Sequence, residues 1–105
     1  MPKQNRFMKS GYKIFWTDNA LNELSETLKY LEINWTDKEI KNLARTIEWT
    51  LKLIAQNPNL FQKTNQGNNL HRAVILKHNS LFYRKKKNQI EIISFFSNRK
   101  KPRDF

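Results

Sequence analysis

The sequence predicts an α+β domain in which an N-terminal strand and an antiparallel helical hairpin precede a three-stranded antiparallel meander. An aromatic and β-branched run occupies residues 12–16, apolar residues recur at helical spacing from Leu21 to Ala55, and three short β-prone runs follow. A chain of 105 residues has room for one domain. We expect residues 1–11 to form a basic N-terminal arm of this domain and residues 98–105 a basic C-terminal tail.

The first strand leads directly into the first helix. Thr17, Asp18 and Asn19 follow the run YKIFW and carry side-chain oxygens of the kind that cap a helix start. The apolar residues that follow lie on one face of a 3.6-residue period: Leu21, Leu24, Leu28, Leu31 and Trp35.

The second helix begins at a capping-box pattern, in which Thr36 precedes Glu39 by three residues. Helical spacing then continues through Ile40, Leu43, Ala44, Ile47, Leu51, Ile54 and Ala55. The helix should end before Asn57-Pro58, because proline disfavours helical geometry in the residue before it. The short connection predicts that the two helices form an antiparallel hairpin.

The meander is predicted from three runs, residues 72–77, 81–85 and 89–96, with turns at residues 78–80 and 86–88. Phe95 and Phe96 alternate across the last strand, so we expect one of them in the core. The N-terminal strand is expected to join an edge of this sheet.

The basic charge is concentrated in the last part of the chain. The formal net charge of +11 divides into +4 for residues 1–17, −2 for residues 18–61 and +9 for residues 62–105. Such an excess indicates a polyanion or an acidic protein as the partner.

Several classes of protein are excluded or disfavoured by composition. The chain has no cysteine, which excludes disulfides, thiolate metal ligands and a cysteine nucleophile. We expect neither a metal nor another cofactor. The sequence also shows no secretory h-region and no apolar run long enough for a membrane span, so we expect a cytoplasmic protein with no membrane partner.

The order of elements and several local strings resemble the RelE/ParE superfamily of bacterial type II toxins. The strings are WTDNALNEL at residues 16–24, IAQNP at residues 54–58, LFYR at residues 81–84, and IEIISFF at residues 90–96 leading into NRKKP at residues 98–102. The resemblance implies the β-α-α-β-β-β fold and an antitoxin partner. RelE-like members cleave mRNA in the ribosomal A site, whereas ParE-like members inhibit DNA gyrase.

A RelE-like ribonuclease would need cations to stabilise the phosphorane and groups that exchange protons. The candidate cations are Lys77, Arg84 and Arg99, the last of which matches the arginine that follows the final strand in RelE-like enzymes. His71 and Tyr83 are the candidate acid and base. RelE-like enzymes typically carry a tyrosine, often with a histidine, shortly after that arginine. Here the tail reads KKPRDF, and Phe105 cannot exchange a proton.

This departure favours the ParE-like interpretation, in which the protein binds its target without chemistry of its own. The candidate target-binding residues are Arg72, Arg84, Arg99, Lys100 and Arg103. Tyr30 and Trp49 point roughly opposite the apolar stripe of their own helices, so we expect both to be partly exposed. They would bind an acidic antitoxin, in a toxin-antitoxin hetero-oligomer, or a second copy of the toxin.

Three functions follow from these observations. The preferred one is a ParE-like gyrase inhibitor that a cognate antitoxin neutralises. The first alternative is a RelE-like, ribosome-dependent mRNA endoribonuclease acting without a metal. The second alternative is a basic nucleic-acid-binding module without toxicity, which the net charge alone would permit.

Overall fold

A computed structural model describes residues 11–65 and 69–97, which contain a four-stranded sheet and two helices. In chain order the elements are β1 (Lys13–Trp16), α1 (Asp18–Asn34), α2 (Asp37–Gln56), β2 (His71–Ile75), β3 (Asn79–Lys86) and β4 (Gln89–Ser97). The predicted α+β fold and element order are confirmed. The proposed N-terminal arm, apart from Gly11, and the proposed C-terminal tail lie outside the described residues.

The sheet is mixed, with the strand order β1-β4-β3-β2. The meander β2-β3-β4 is antiparallel, as predicted, and β1 joins its edge by pairing with β4 in parallel. Parallel pairing needs a long crossover connection, which the intervening helices and meander supply.

Both helices begin at the residues that the capping patterns predict. Thr17 is the N-cap of α1, and its hydroxyl oxygen accepts a hydrogen bond from the backbone N–H of Ala20 (3.2 Å). In α2 the capping box is complete: Thr36 accepts from the Glu39 N–H, and the Glu39 carboxylate accepts from the Thr36 N–H. Each such cap stabilises a helix by about 1 kcal/mol.

The helices form a hairpin that returns the chain to β1. Trp35 and Thr36 connect α1 to α2, and at the far end of α2 the Ala55 carbonyl accepts a bond from the Tyr12 N–H (2.8 Å). The core lies between this hairpin and one face of the sheet. It contains Ala20, Leu31, Leu43, Ile47 and Ile54 from the helices and Ala73, Ile75, Leu81, Tyr83, Ile90, Ile92 and Phe95 from the sheet.

Two members of the predicted apolar stripes are exposed instead. Leu21 is 47% exposed, and Ala44 is also on the surface. Each follows a buried residue, Ala20 or Leu43, by one position, which turns it about 100° away from the sheet. In α1 the polar residue Thr27 is buried. Its hydroxyl donates to the Glu23 carbonyl (3.0 Å), so the buried hydroxyl is not left without a hydrogen bond.

The first predicted turn of the meander is displaced along the chain. The turn comprises residues 76–78, so Lys77 is not in a strand, while Asn79 and Ser80 are buried strand residues. The side-chain amide of Asn79 donates to the Ile75 carbonyl (3.2 Å). This bond satisfies a buried polar group, so asparagine, which usually favours loops, is accommodated in the strand. The second turn is Lys87-Asn88, with Lys87 at φ 58°, as a tight hairpin requires.

A β-bulge in β4 determines which residues face the core near its end. Tyr83 lies opposite Ile92 and Phe82 opposite Ser94, so Ile93 is an extra residue. The alternation therefore changes phase there. Phe95 becomes the core residue at 1% exposure, and Phe96 is 39% exposed.

Beyond β1, the first turns of α1 cover the edge of β4. The Thr17 N–H and hydroxyl both donate to the Ile92 carbonyl (3.1 and 2.9 Å), and the Asn19 amide donates to the Ile93 carbonyl (3.1 Å). The Glu23 carboxylate accepts from the Phe95 N–H (2.9 Å) and the Ser94 hydroxyl (2.8 Å). Where β1 ends, groups of Thr17, Asn19 and Glu23 thus satisfy the hydrogen-bonding groups along the edge of β4 in place of a neighbouring strand.

We expect Glu23→Ala to lower the free energy of unfolding by about 1–3 kcal/mol, since it leaves the Phe95 N–H without its charged acceptor. Urea unfolding followed by circular dichroism measures the change. Glu32→Ala removes an exposed carboxylate from the same helix and should change stability by less than about 0.5 kcal/mol. Equal effects of the two substitutions would contradict a specific role for Glu23.

Candidate target-binding surface

Arg72 and Arg84 lie on the face of the sheet that points away from the helices. On β2 the residues His71, Ala73 and Ile75 are buried, so Arg72 and Val74 face outward. On β3 the core residues Leu81 and Tyr83 alternate with the outward residues Phe82 and Arg84. Arg72 and Phe82 are cross-strand partners. The structure therefore places these two predicted target-binding residues on one surface.

A hydrogen bond positions Arg72 in an open cleft of about 490 Å³. Its Nε donates to the hydroxyl of Ser80 (2.9 Å), which leaves the terminal guanidinium nitrogens for a partner. The cleft is lined by Gln62, Lys63, Thr64, Asn65, Arg72, Val74 and Phe82. Lys63 adds a second cation, and Val74 and Phe82 add an apolar wall.

Arg84 is partly neutralised by its neighbour on β4. Its Nε lies 3.1 Å from a carboxylate oxygen of Glu91, which is its cross-strand partner. The Arg84 side chain is 37% exposed to solvent. The Glu91 side chain is only 14% exposed, so the pair is partly buried and breaking it would leave a carboxylate unpaired. Arg84 therefore offers a partner its terminal guanidinium nitrogens while its Nε stays paired with Glu91.

His71 and Tyr83 form a buried stack. Their rings lie 5.0 Å apart with 13° between the planes, and the side chains are 5% and 0% exposed. The Tyr83 hydroxyl donates to the Pro58 carbonyl (2.8 Å), and Nδ1 of His71 lies 2.8 Å from the Phe61 carbonyl oxygen. Both rings hold the connection between α2 and β2 against the sheet.

Burial raises the pKa of Tyr83 to about 12, although the backbone of Phe61 acts in the opposite direction. The neutral phenol is therefore the form that the fold prefers. A phenol held in this way is a poor proton donor to an external substrate near neutral pH.

Lys77 lies far from Arg84 in the sheet. It belongs to the turn before β3, whereas Arg84 is near the opposite end of that strand, a separation of about 20 Å at 3.3 Å per residue. Lys77 is exposed and has φ 135°, a backbone conformation that is strained for a residue other than glycine. The structure does not bring the four described catalytic candidates, Lys77, Arg84, His71 and Tyr83, around one position.

Tyr30 and Trp49 are exposed, as their helical positions predict, at 38% and 62%. They lie on α1 and α2, away from the sheet face that carries Arg72. Ile33 on α1 is 83% exposed and was not singled out by the sequence. The remaining predicted target-binding residues, Arg99, Lys100 and Arg103, lie outside the described residues.

The outer sheet face also presents exposed apolar residues that were not among the predicted site residues. Phe15 is 50% exposed and Val74 54%. Phe15 could have been recognised from its alternation with Ile14 and Trp16, which pack on the core. Phe82 could not, since it lies within the uninterrupted apolar run Leu81-Phe82-Tyr83.

Comparison with known proteins identifies the family. The model of the ParE toxin of type II toxin-antitoxin systems, parDE, matches residues 14–102. The chain belongs to the ParE toxin family. It is thus a type II toxin of the RelE/ParE superfamily.

Two solved structures share the fold of this ParE family member. A chain from the chromosomal ParDE toxin-antitoxin system of P. aeruginosa superposes with a TM-score of 0.70 at 14% identity, over 84% of this chain and 97% of that one. A chain from the YoeB dimer of Staphylococcus aureus superposes with a TM-score of 0.55 at 26% identity, over 79% and 92% of the two chains. No curated protein sequence matches the chain.

The described residues of this ParE family member contain no cluster of three or more histidine, cysteine or acidic side chains that could hold a metal ion. Within the same residues, neither helix is sufficiently long and apolar to cross a membrane.

Tyr83→Phe should make the unfolding free energy less sensitive to alkaline pH. Because the pKa of Tyr83 is raised from 10.0 to about 12, its stabilising contribution is complete below pH 10 and is lost as the pH rises towards 12. Between pH 9 and pH 11 we expect the unchanged protein to lose more stability than the variant, by on the order of 1 kcal/mol, as measured by urea unfolding. Parallel losses in the two proteins would contradict a buried, neutral phenol.

Proposed function

We propose that this toxin inhibits growth by binding DNA gyrase in the cytoplasm and that a cognate acidic antitoxin neutralises it. The family match over residues 14–102 carries the proposal. The burial of His71 and Tyr83 supports it, because a protein that acts by binding alone needs no proton-transfer group at its surface. The proposed contact is the outer sheet face at Arg72 and Arg84, together with Arg99, Lys100 and Arg103.

The charge distribution supports an acidic antitoxin. The chain carries +11, and residues 62–105 hold most of that excess. An acidic, initially disordered segment that folds on contact would neutralise this surface and bury exposed apolar side chains of the helices. The P. aeruginosa neighbour comes from a toxin-antitoxin system, which supports the same kind of partner here. We assign Trp49 and Tyr30 to that interface.

A second function, ribosome-dependent cleavage of mRNA, follows from membership of the RelE/ParE superfamily, whose RelE-like members cleave mRNA. In that case Arg99, Arg84 and Lys77 would stabilise the phosphate, and His71 or Tyr83 would have to leave its buried hydrogen bond to exchange a proton. The cost of that exposure makes it the weaker candidate.

Pulse-labelling of protein and DNA synthesis within minutes of inducing the toxin separates the two functions. Early loss of DNA synthesis with intact transcripts is the expected result. Early loss of translation with new cuts at A-site codons would contradict gyrase as the target and support the ribonuclease.

Arg72→Ala should weaken inhibition of plasmid supercoiling by purified gyrase about tenfold or more, since a charge-assisted hydrogen bond contributes about 1.5–3 kcal/mol. The assay measures the toxin concentration that halves supercoiling. Lys41→Ala removes the same charge from the exposed face of α2 and should change that concentration less than twofold. If both variants inhibit like the unchanged toxin, Arg72 is not part of the contact.

Trp49→Ala should weaken antitoxin binding about 30-fold, the effect of losing about 2 kcal/mol from a central aromatic anchor. Titration calorimetry with the antitoxin measures the affinity. Leu60→Ala, which trims an exposed apolar residue in the segment after α2, is the control and should leave the affinity unchanged. An unchanged affinity of the Trp49 variant with a lowered melting temperature would leave this tryptophan a structural role only.

A further inference from the structure

The outer sheet face carries aromatic rings and cations in adjacent positions. We define this surface by Phe15, Arg72, Val74, Phe82, Arg84 and Phe96. Cross-strand register places Phe82 beside Arg72, and it places Phe15 and Arg84 on either side of Glu91. Neighbouring strands are about 4.8 Å apart, and outward residues along one strand are about 6.8 Å apart. Phe82 therefore lies one strand spacing from Arg72, and Phe15 lies two strand spacings, about 9.6 Å, from Arg84, so one nucleotide can reach from either ring to its guanidinium group.

The rings on this face are accessible. Phe15 is 50% and Phe96 39% exposed, while Phe82 is half-buried and forms part of the cleft wall beside Arg72. Exposed phenylalanine is unfavourable in water, and three outward rings on one face of a sheet this small favour a contact surface. The rings offer flat apolar faces as well as edges, which suits a planar partner.

The charge of the face is strongly positive. Among the outward positions of the described strands, the cations are Lys13, Arg72, Arg84 and Lys86, and the carboxylate is Glu91, which is already paired with Arg84. Lys63 extends the positive surface along the cleft. A partner that carries regularly spaced negative charge complements this pattern better than a folded protein of mixed charge.

We propose that the outer sheet face binds single-stranded nucleic acid, with bases stacked on Phe15 and Phe82 and phosphates held by Arg72 and Arg84. A base has an apolar planar face and is linked to a phosphate, so each ring and its neighbouring guanidinium contact one nucleotide. A four-stranded sheet that presents aromatic rings can hold two or three bases in this manner. A duplex hides the faces of its bases and would engage the cations alone.

The inference shares Arg72 and Arg84 with the proposed gyrase contact but does not depend on gyrase. A strand that is stacked on Phe15 and Phe82 would occupy the same surface as the enzyme. Strand binding and gyrase inhibition should therefore be measured on the same variants, so that each can fail independently of the other.

Fluorescence anisotropy with labelled 12-nucleotide strands, thymidine for DNA and uridine for RNA, tests the proposal at a physiological salt concentration. The affinity for a labelled duplex of equal length is measured for comparison. We expect either single strand to bind at least fivefold more tightly than the duplex, and a preference for one sugar would identify the natural strand. Equal affinity for strand and duplex would overturn the proposal.

Substitutions separate stacking from charge. Phe15→Leu and Phe82→Leu retain apolar volume but remove the aromatic face, and each should weaken single-strand binding about fivefold or more while leaving the duplex unaffected. Arg72→Ala should weaken both, whereas the charge-matched Lys41→Ala should weaken either by less than twofold. Single-strand binding that is unchanged in both leucine variants would overturn the proposal.

Supercoiling inhibition by the same variants distinguishes the two proposals. A toxin that inhibits gyrase but binds no strand would overturn the present inference alone. A toxin that binds strands through Phe15 and Phe82 but leaves gyrase active would support this inference and count against gyrase as the target. Thermal unfolding of each variant verifies that the comparison is made between folded proteins.

Discussion

The covered edge of β4 is the constraint on which the rest of the fold depends. β1 pairs with only the first half of β4, and from Ile92 onward Thr17, Asn19 and Glu23 satisfy the backbone in place of a strand. These contacts fix α1 against the sheet. They also stabilise the bulge at Ile93, which turns Phe95 into the core and Phe96 outward. The composition of the outer face therefore depends on a carboxylate and a hydroxyl of the first helix.

The two faces of the sheet have different roles. The helices cover the inner face, where the stacked rings of His71 and Tyr83 hold the segment after α2 through the Pro58 and Phe61 carbonyls. The inner face therefore serves the fold. The outer face carries Arg72 and Arg84, which can contact a partner.

Local patterns predicted the elements well and their side-chain environments less well. The capping box at Thr36 and the polar cap at Thr17 are local signals, and both helices begin where they indicate. The parallel pairing of β1 with β4 depends on contacts about 75 residues apart, which no local pattern reveals. His71 and Tyr83 were candidates for catalysis because of their chemistry alone, and their burial depends on the register between β2 and β3. Phe82 was missed because an outward aromatic residue within an apolar run resembles a core residue, whereas the alternation of Phe15 with Ile14 and Trp16 was a signal that the sequence did offer.

The pairing of the first strand with the last also affects how the toxin is made. During synthesis, Thr17, Asn19 and Glu23 emerge long before Ile92, Ile93 and Phe95, so the first helix has no edge to cover until β4 has been made. Closing a loop of this length is slow relative to forming a helix or a hairpin. The nascent chain consequently has no assembled outer face until β4 has been made, and most of its basic residues are made late, within residues 62–105. An antitoxin that is already present in the cell thus has an interval in which to meet the chain before it becomes harmful.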